Sequence, residues 1–472
     1  MWRCIRCHGP LKADAPGLRC SGCGKLYPVV DGIFILVGEP AAYLRSELAS
    51  LSRAYSDARQ RLNLLERIGR DADLSKPALD RHRDVNEADI ARAETFLALL
   101  SPASAALKAL AEGGHETGDS LGLQRSGWAF ETLLPYLLRD WTHTPEFEAA
   151  NIVIGRLLKD VVPDPSGKSI AFAGCGAAGL LAGLSPEFEH ILGYDLTLPI
   201  LAAARHLLDG ETIDLPMPRS VNSLGRVRLA GGIPPSSRPR VLLSAMDACE
   251  TAFADGTVDC VITSFLVDLI PDPRTLAEEV HRILSSGGIW INYGPSGTLD
   301  SIWRFDQSEG TAFFESTGFT VLEAEARRAT YLDLSRDDPM SSYQNHMCYL
   351  TAARKAGPGT KKSRPATPDS TAMSYIIPQH FPGANLVHQQ SLGADQTRSI
   401  LLRHERIRGR VESLEIGGDT ARILALVDGK RSVGEIADML QQRNPAHSSD
   451  HTLRAFIRFF DQRLLSWREP KR

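Results

Sequence analysis

The 472-residue sequence has no run of about 18 apolar residues, so no helix that crosses a bilayer is expected. Its opening, MWRCIRCHGP, lacks the apolar stretch of a secretion signal, which makes the cytoplasm the expected compartment, with thiols kept reduced. Neither sign of charge prevails. Lys and Arg number 53 against 57 Asp and Glu, a formal net charge of −4, which gives no field of the kind that nucleic acid or anionic membrane partners require. What the sequence has is length, since one domain per roughly 150 residues suggests about three. It also has eight cysteines in two populations. Four fall in the first 23 residues, while Cys175, Cys249, Cys260 and Cys348 are scattered.

The first four read Cys4-x2-Cys7, twelve residues, then Cys20-x2-Cys23. Each CxxC makes a knuckle presenting two thiolates, and two knuckles close a tetrahedral S4 site suited to structural Zn2+. Four thiolates leave no open position for catalysis, and the alternative of two disulfides belongs to an oxidising compartment. LYPVVDGIFILV then reads as strand, Asp31-Gly32 turn, strand. So small a piece would draw its folding energy from the metal. It resembles zinc ribbons of the tRNA-methyltransferase partner type over residues 1–38, a likeness that implies a scaffold or docking module. Residues 41–124 show helical periodicity with interleaved charges and read as a cap with no chemistry of their own.

The stretch SIAFAGCGAAGLLAGL…HILGYDLTLPILAAARHLL reads as strand, glycine loop, helix, strand, acid, helix. Gly174, Gly176 and Gly179 form G-x-G-x-x-G, which lets a ligand approach the backbone where a helix begins. Asp195 ends the next strand and is placed for ribose hydroxyls. Taken alone, this pattern also fits a nicotinamide cofactor. The continuation separates the readings: an apolar strand leads to Asp247 and Ala248, placed for adenine. A strand over 258–265 follows, then an amphipathic helix with a Gly287-Gly288 stop and another strand. That order is the one of class I S-adenosylmethionine-dependent methyltransferases, an α/β Rossmann-like core spanning 125–356.

Within that span, LLRDWTHTPEFEAA, FLVDLIPD, GGIWINYGP and TYLDLSRDDPMSSYQNHMCYLTAARK are similar, in order, to the carnosine N-methyltransferase family. The resemblance implies that Arg139, of Arg139-Asp140-Trp141, meets the cofactor carboxylate. It also implies that Asp268 contacts an imidazole-bearing acceptor as the catalytic carboxylate. Two departures stand out. The segment after Trp290-Ile291-Asn292 reads GPSGTL, without the family's substrate histidine, and Tyr343, Asn345 and His346 stand where the family has a tyrosine cluster.

GPGTKKSRPATPDS, rich in Gly, Pro, Ser and Lys, reads as a linker within 357–385. Residues 386–472 read as an α+β domain of winged-helix type, with β-rich ILLRHERIRGRVESLEIGG, a helix–Asp428-Gly429–helix unit, and a closing helix in HTLRAFIRFFDQRLLSW. LVDGKRSVGEIADML resembles the PqqD-like domains that bind leader peptides in ribosomal-peptide biosynthesis by pairing with a strand. A generic winged helix for dimerisation or nucleic-acid contact is the alternative, although such a reader shows a stronger basic stripe. Together the modules suggest methylation of a nitrogen in a peptide substrate, with a precursor peptide as partner. The alternatives are a small-molecule N-methyltransferase of the carnosine type and a catalytically idle scaffold.

Overall fold

The computed structural model describes residues 2–71, 75–112, 134–162, 164–184, 188, 190–220, 223–233, 241–270, 273–295, 305–333, 343–356, 377–380, 385–390, 398–407, 410–416, 418–443, 452, 455, 456 and 465–468. Two compact units emerge: 1–117 with 126–296 and 305–359, and 118–125 with 297–304 and 360–472. Outside the described residues lie 357–376 of the expected linker, the GPSGTL segment from 296 onward, and the side chains of Tyr343 and Asn345.

The first unit opens with β1 (Leu11–Asp14), β2 (Gly17–Cys20), β3 (Leu26–Val30) and β4 (Ile33–Ile35), joined antiparallel in sequence. Asp31 and Gly32 both have positive φ (48° and 75°), which matches the right-handed twist of a two-residue hairpin. Three helices follow, α1 (Pro40–Asp71), α2 (Lys76–Leu99) and α3 (Ser101–Glu112), then α4 (Leu134–Trp141) and α5 (Pro145–Val161). After them come β5 (Ser169–Ala173), α6 (Gly179–Leu184), β6 (His190–Asp195), α7 (Leu198–Leu208), a hairpin of β7 (Thr212–Ser220) and β8 (Ser223–Ala230), and β9 (Val241–Ala245). The unit ends with β10 (Val258–Ser264), α8 (Pro273–Ile283), β11 (Leu284–Gly294), α9 (Gln307–Ser316), β12 (Phe319–Asp333) and β13 (Tyr343–Lys355).

One sheet runs through the unit in the order β1-β2-β3-β4-β9-β6-β5-β10-β11-β13-β12. From β4 to β11 every neighbour is parallel, and β13 enters antiparallel against β11. The strand order reverses at β5/β10, the switch point where ligands settle beyond the carboxyl ends of the strands. Both sheet faces are buried. Ile170 and Phe172 of β5 enter one apolar cluster while Ala171 and Ala173 enter the other, and Ile289, Ile291 and Trp290 of β11 divide the same way.

Two features of this unit depart from the sequence expectations. Helix α8 stops at Ile283, and Gly287-Gly288 lie inside β11. The β10–β11 register there jumps from Val258↔Leu284 to Cys260↔Ile289, a bulge made possible by Gly287 at φ 73°. The β7–β8 hairpin between α7 and β9 is an addition that the sequence pattern does not announce. Arg92 of α2 ties to it by donating to the Pro216 carbonyl at 2.7 Å.

The N-terminal strands do more than precede the core. Ile33–Ile35 pair with Leu243–Ala245, and the Leu36 amide donates to Ala245 O at 2.9 Å. On the far side, Arg3 N donates to Ala252 O at 2.7 Å, and Trp2 stacks on Phe253 at 5.1 Å. Cys4, Leu18, Tyr27 and Leu36 share one apolar cluster with Tyr194, Met246, Ala252 and Phe253.

In the second unit, β14 (Ile377–His380) pairs with β18 (Leu465–Arg468), and β15 (Asn385–Gln390), β16 (Arg398–Ile407) and β17 (Arg410–Ile416) form an antiparallel sheet. Helices α10 (Gly418–Leu424) and α11 (Val433–Arg443) follow β17. Between them Asp428 accepts from the Arg431 and Lys430 amides at 2.9 Å each, which holds its carboxyl at about 2. A capping box between Ser432 and Glu435 starts α11. The end of the expected closing helix, Leu465–Trp467, is strand, because β14 supplies its ladder partner. Most of the remainder, 457–464, lies outside the described residues.

Because Phe253 is buried between Trp2 and Tyr194, its removal strips packing from both the cysteine-bearing segment and the core. Phe253→Ala should cost about 3–5 kcal/mol. It should lower the thermal midpoint in a single transition followed by circular dichroism; a separate early transition would show that the N-terminal strands fold independently.

Candidate functional site

The glycine loop lies at the carboxyl end of β5. Gly174 and Gly176 take φ of 65° and 52°, the left-handed region that glycine tolerates. A Cβ on Gly174 would stand 2.9 Å from Leu266 Cδ1, whereas one on Gly176 would meet nothing within 4 Å. Gly176 therefore faces open space, as close approach of a ligand requires. The third glycine serves packing instead, since a Cβ on Gly179 would lie 2.6 Å from Asp140 Cβ and 2.9 Å from Phe147. It admits α4 and α5 against the start of α6.

Carboxylates hold this loop from two sides. Asp195 Oδ2 accepts the Gly176 amide at 3.1 Å and Oδ1 the Thr197 amide at 2.9 Å. Burial pushes the Asp195 carboxyl up, against the pull of these amides. Asp140 Oδ2 accepts the Gly179 amide at 3.3 Å, and Trp141 Nε1 donates to Ala177 O at 2.8 Å. The Arg139-Asp140-Trp141 element is thus a clamp on the glycine loop. Arg139 itself donates from Nε and Nη2 to Asp140 Oδ1 at 2.8 and 2.7 Å. Burial works against its charge, but the Asp140 carboxylate outweighs this and holds the guanidinium above its ordinary range.

Helix α1 closes the far side of Asp195, a role its sequence does not reveal. Tyr43 donates to Leu196 O at 2.8 Å, and the buried Glu47 accepts the Leu198 amide at 3.1 Å, at the start of α7. Asp247 follows β9, where its Oδ1 accepts the Cys249 amide at 2.8 Å, and Ala248 is buried beside it. Gly174, Gly176, Asp195, Asp247 and Ala248 all sit at or just beyond the carboxyl ends of the adjacent strands β5, β6 and β9.

Asp268 lies on a 3-10 turn, Val267–Leu269, just past β10. Phe265, shortly before it in the chain, belongs to an aromatic cluster. In that cluster Phe265 stacks on Tyr331 at 3.8 Å, Tyr293 meets Phe265 edge-on at 5.5 Å, and His346 lies 6.0 Å from Tyr331. Arg139 sits over the Tyr331 ring at 4.7 Å and the Tyr136 ring at 5.7 Å. Arg139, Glu146, Phe265, Tyr293 and Tyr331 line a small cleft beside this cluster. Tyr136, Phe265, Tyr293 and Tyr331 escape a reading of the sequence, since only the packing of α4, β11, β12 and the turn after β10 brings them together. Trp290 and Asn292, by contrast, serve the sheet: Trp290 Nε1 donates to Thr263 Oγ1 at 3.0 Å, and Thr263 donates to Asn292 Oδ1 at 2.8 Å.

At the N-terminus the Sγ atoms of Cys4, Cys7, Cys20 and Cys23 all lie within 4.8 Å of one another. Cys4–Cys23 and Cys7–Cys20 separations are 3.6 and 3.4 Å. A Cβ on Gly9 would stand 3.3 Å from Cys20 Sγ, so this glycine leaves room for the sulfur. Burial raises the Cys20 thiol, yet the Cys23 and Gly22 amides outweigh it and bring the group down to about 7, toward thiolate.

Residues 172–292 match the family model described as "Methyltransferase domain". A curated relative, phosphatidylethanolamine N-methyltransferase of Cereibacter sphaeroides, is 33% identical over 76 residues, covering 14% of this chain and 37% of that protein. The chain thus spans about a third of the length of this relative. Among solved structures, the N-methyltransferase NodS of Bradyrhizobium japonicum WM9 with S-adenosyl-L-homocysteine is 13% identical (TM-score 0.32; 48% of this chain, 98% of that one). A complex of the Haloferax volcanii Trm112 methyltransferase activator with a methyltransferase gives 16% identity (TM-score 0.31; 43% and 93%). These scores are too low to carry a functional argument. The strand order, the glycine loop and the family match over 172–292 agree: the chain contains a Rossmann-like methyltransferase domain of the class I, S-adenosylmethionine-dependent kind.

Proposed function

We propose that the protein is an S-adenosylmethionine-dependent N-methyltransferase acting on an imidazole or similar nitrogen of a peptide substrate. The observation that carries the cofactor reading is the Gly176–Asp195 contact beneath open space at the sheet's switch point. When bound, S-adenosylmethionine supplies an electrophilic methyl group on a sulfonium. Asp195 takes the ribose hydroxyls, Asp247 with the Ala248 amide takes adenine, and Arg139 takes the carboxylate. Asp268 orients the acceptor and receives its proton. Residues 386–472 recruit the peptide as a PqqD-like domain, through strand pairing. A small-molecule acceptor is the second reading, and the 76-residue likeness to a named N-methyltransferase of a phospholipid favours it. Gly174, Gly176, Asp195 and Asp247, all in place, speak against an idle scaffold.

The four N-terminal thiols fit structural zinc. A tetrahedron with Zn–S near 2.3 Å needs sulfurs about 3.8 Å apart, close to the spacing of this cluster. Elemental analysis of reduced protein should show about one equivalent of zinc, lost when Cys4 and Cys7 become Ser. Metal-free native protein would refute the assignment.

Cofactor binding is tested by calorimetry. Asp195→Ala should weaken S-adenosylmethionine by tenfold or more, the loss of a charged hydrogen-bond partner worth about 1.5–3 kcal/mol. Unchanged affinity would remove Asp195 from the site, and preference for a nicotinamide cofactor would overturn the class.

Division of labour is read from kinetics. Deleting residues 360–472 should raise KM for a full-length peptide and spare kcat on a short core peptide, because recruitment is uniform binding. Asp268→Asn should lower kcat while the cofactor still binds. Equal turnover of a free dipeptide by truncated and intact protein would favour the small-molecule reading.

A further inference from the structure

Tyr331 has no part in the assignments above, yet it stands at their junction. Phe265 lies parallel to its ring at 3.8 Å and 20°, and the Arg139 guanidinium carbon lies 4.7 Å from the same ring centre. Two groups so close to one centroid would collide on a single face, so they cover opposite faces. Tyr331 is therefore held between an aromatic ring that follows β10 and the guanidinium that clamps the glycine loop through Asp140.

The Phe265 side of this stack is rigid. Phe265 has φ 50°, uncommon for a residue with a side chain, and its amide donates to Tyr293 O at 2.8 Å. Gly294 permits this approach, since a Cβ there would lie 2.9 Å from Phe265 N. Tyr293 then meets Phe265 edge-on. The plane of Tyr331 is thus set by the strand ends rather than by solvent.

Arg139 has the opposite problem. A long, flexible side chain recognises a carboxylate well only when its planar fork is fixed in advance. Asp140 engages one edge of the fork through Nε and Nη2. The rotation that remains, about the edge bound to Asp140, is the one that a ring against the guanidinium face would stop. Tyr136 adds a second ring at 5.7 Å.

We infer that Tyr331 is a positioning residue for the cofactor: by stacking on Arg139 it presents the guanidinium to the amino-acid carboxylate, and it ties that clamp to the acceptor side through Phe265. The inference rests on the assignment of Arg139 as carboxylate partner. It concerns one part of the ligand, so its readout is a ratio rather than an affinity.

S-adenosylhomocysteine and 5′-methylthioadenosine share adenine, ribose and sulfur, and only the first carries the amino-acid end. Their affinities for the full-length protein are measured by calorimetry. Tyr331→Met, which keeps volume but removes the ring, should cut the preference for S-adenosylhomocysteine by about tenfold and leave 5′-methylthioadenosine nearly unchanged. Tyr331→Phe, which keeps the ring, should retain most of the preference. Phe265→Leu, which frees the opposite face, should lower the ratio by a smaller factor, and it decides the matter should Tyr331→Met fail to fold. Equal weakening of both ligands, or an unchanged ratio in Tyr331→Met and Phe265→Leu, overturns the inference. Arg139→Gln separates the causes. If it lowers the ratio while the Tyr331 and Phe265 variants do not, only this inference fails. If it has no effect on bound S-adenosylhomocysteine, the Arg139 assignment fails, and if the native protein binds neither ligand, the methyltransferase reading fails.

Discussion

A carboxylate drawn partly out of water at the end of a strand needs donors around it, because the hydration it loses is worth more than any single contact returns. Asp195 meets that condition with the amides of Gly176 and Thr197. The requirement propagates. To aim its amide at Asp195 the loop must take positive φ, hence glycine at 174 and 176. Turned this way, the loop starts α6 against α4, where Asp140, more fully buried than Asp195, accepts the Gly179 amide. Asp140 in turn needs a cation, and Arg139 supplies it. The clamp, the third glycine and the cation at the site's edge follow from one electrostatic demand.

The other constraint is the sheet edge. Without the N-terminal segment, β9 would end the parallel sheet with its backbone groups bare, a state that invites mispairing. Ile33–Ile35 cover it, and Trp2 with Arg3 brace the Ala252–Phe253 turn a few residues past Asp247. Four strands with so little apolar volume could not hold that position alone. Four sulfurs converge at the outer end of the segment, and shared burial of Cys4, Tyr27 and Leu36 with Phe253 anchors its inner end.

Local signals in the sequence reach this architecture where the physics is local. The short apolar runs in SIAFA and VDCVITS, the glycine spacing and the Asp31-Gly32 turn each depend on a handful of adjacent residues, and each appears in place. The end of α8 differs from expectation because a glycine pair reads equally well as a helix stop or a bulge, and only the register against β10 decides. Covering of Asp195 by Tyr43 and Glu47 is out of reach of any local pattern, since those residues lie some 150 positions upstream. The strand at Leu465–Trp467 carries a helical pattern that its partner Ile377–His380 overrides.

The aromatic cluster shows why the cofactor side of such a chain is easier to read than the acceptor side. The glycine loop is held by backbone amides and carboxylates close to one another in sequence, so it leaves a spacing. The aromatic cluster is drawn from Phe265, Tyr293, Tyr331 and His346, one each from the ends of four segments, and no spacing links them. What links them is strain. Phe265 can hold φ 50° only because Gly294 lacks a side chain and Tyr293 O accepts its amide. A backbone held in so sparsely populated a region persists where its surroundings over-determine it, and such positions cluster at sites of function. Here the over-determined ring lies just before the turn that carries Asp268 and one stack away from Arg139, the cation of the clamp on the glycine loop.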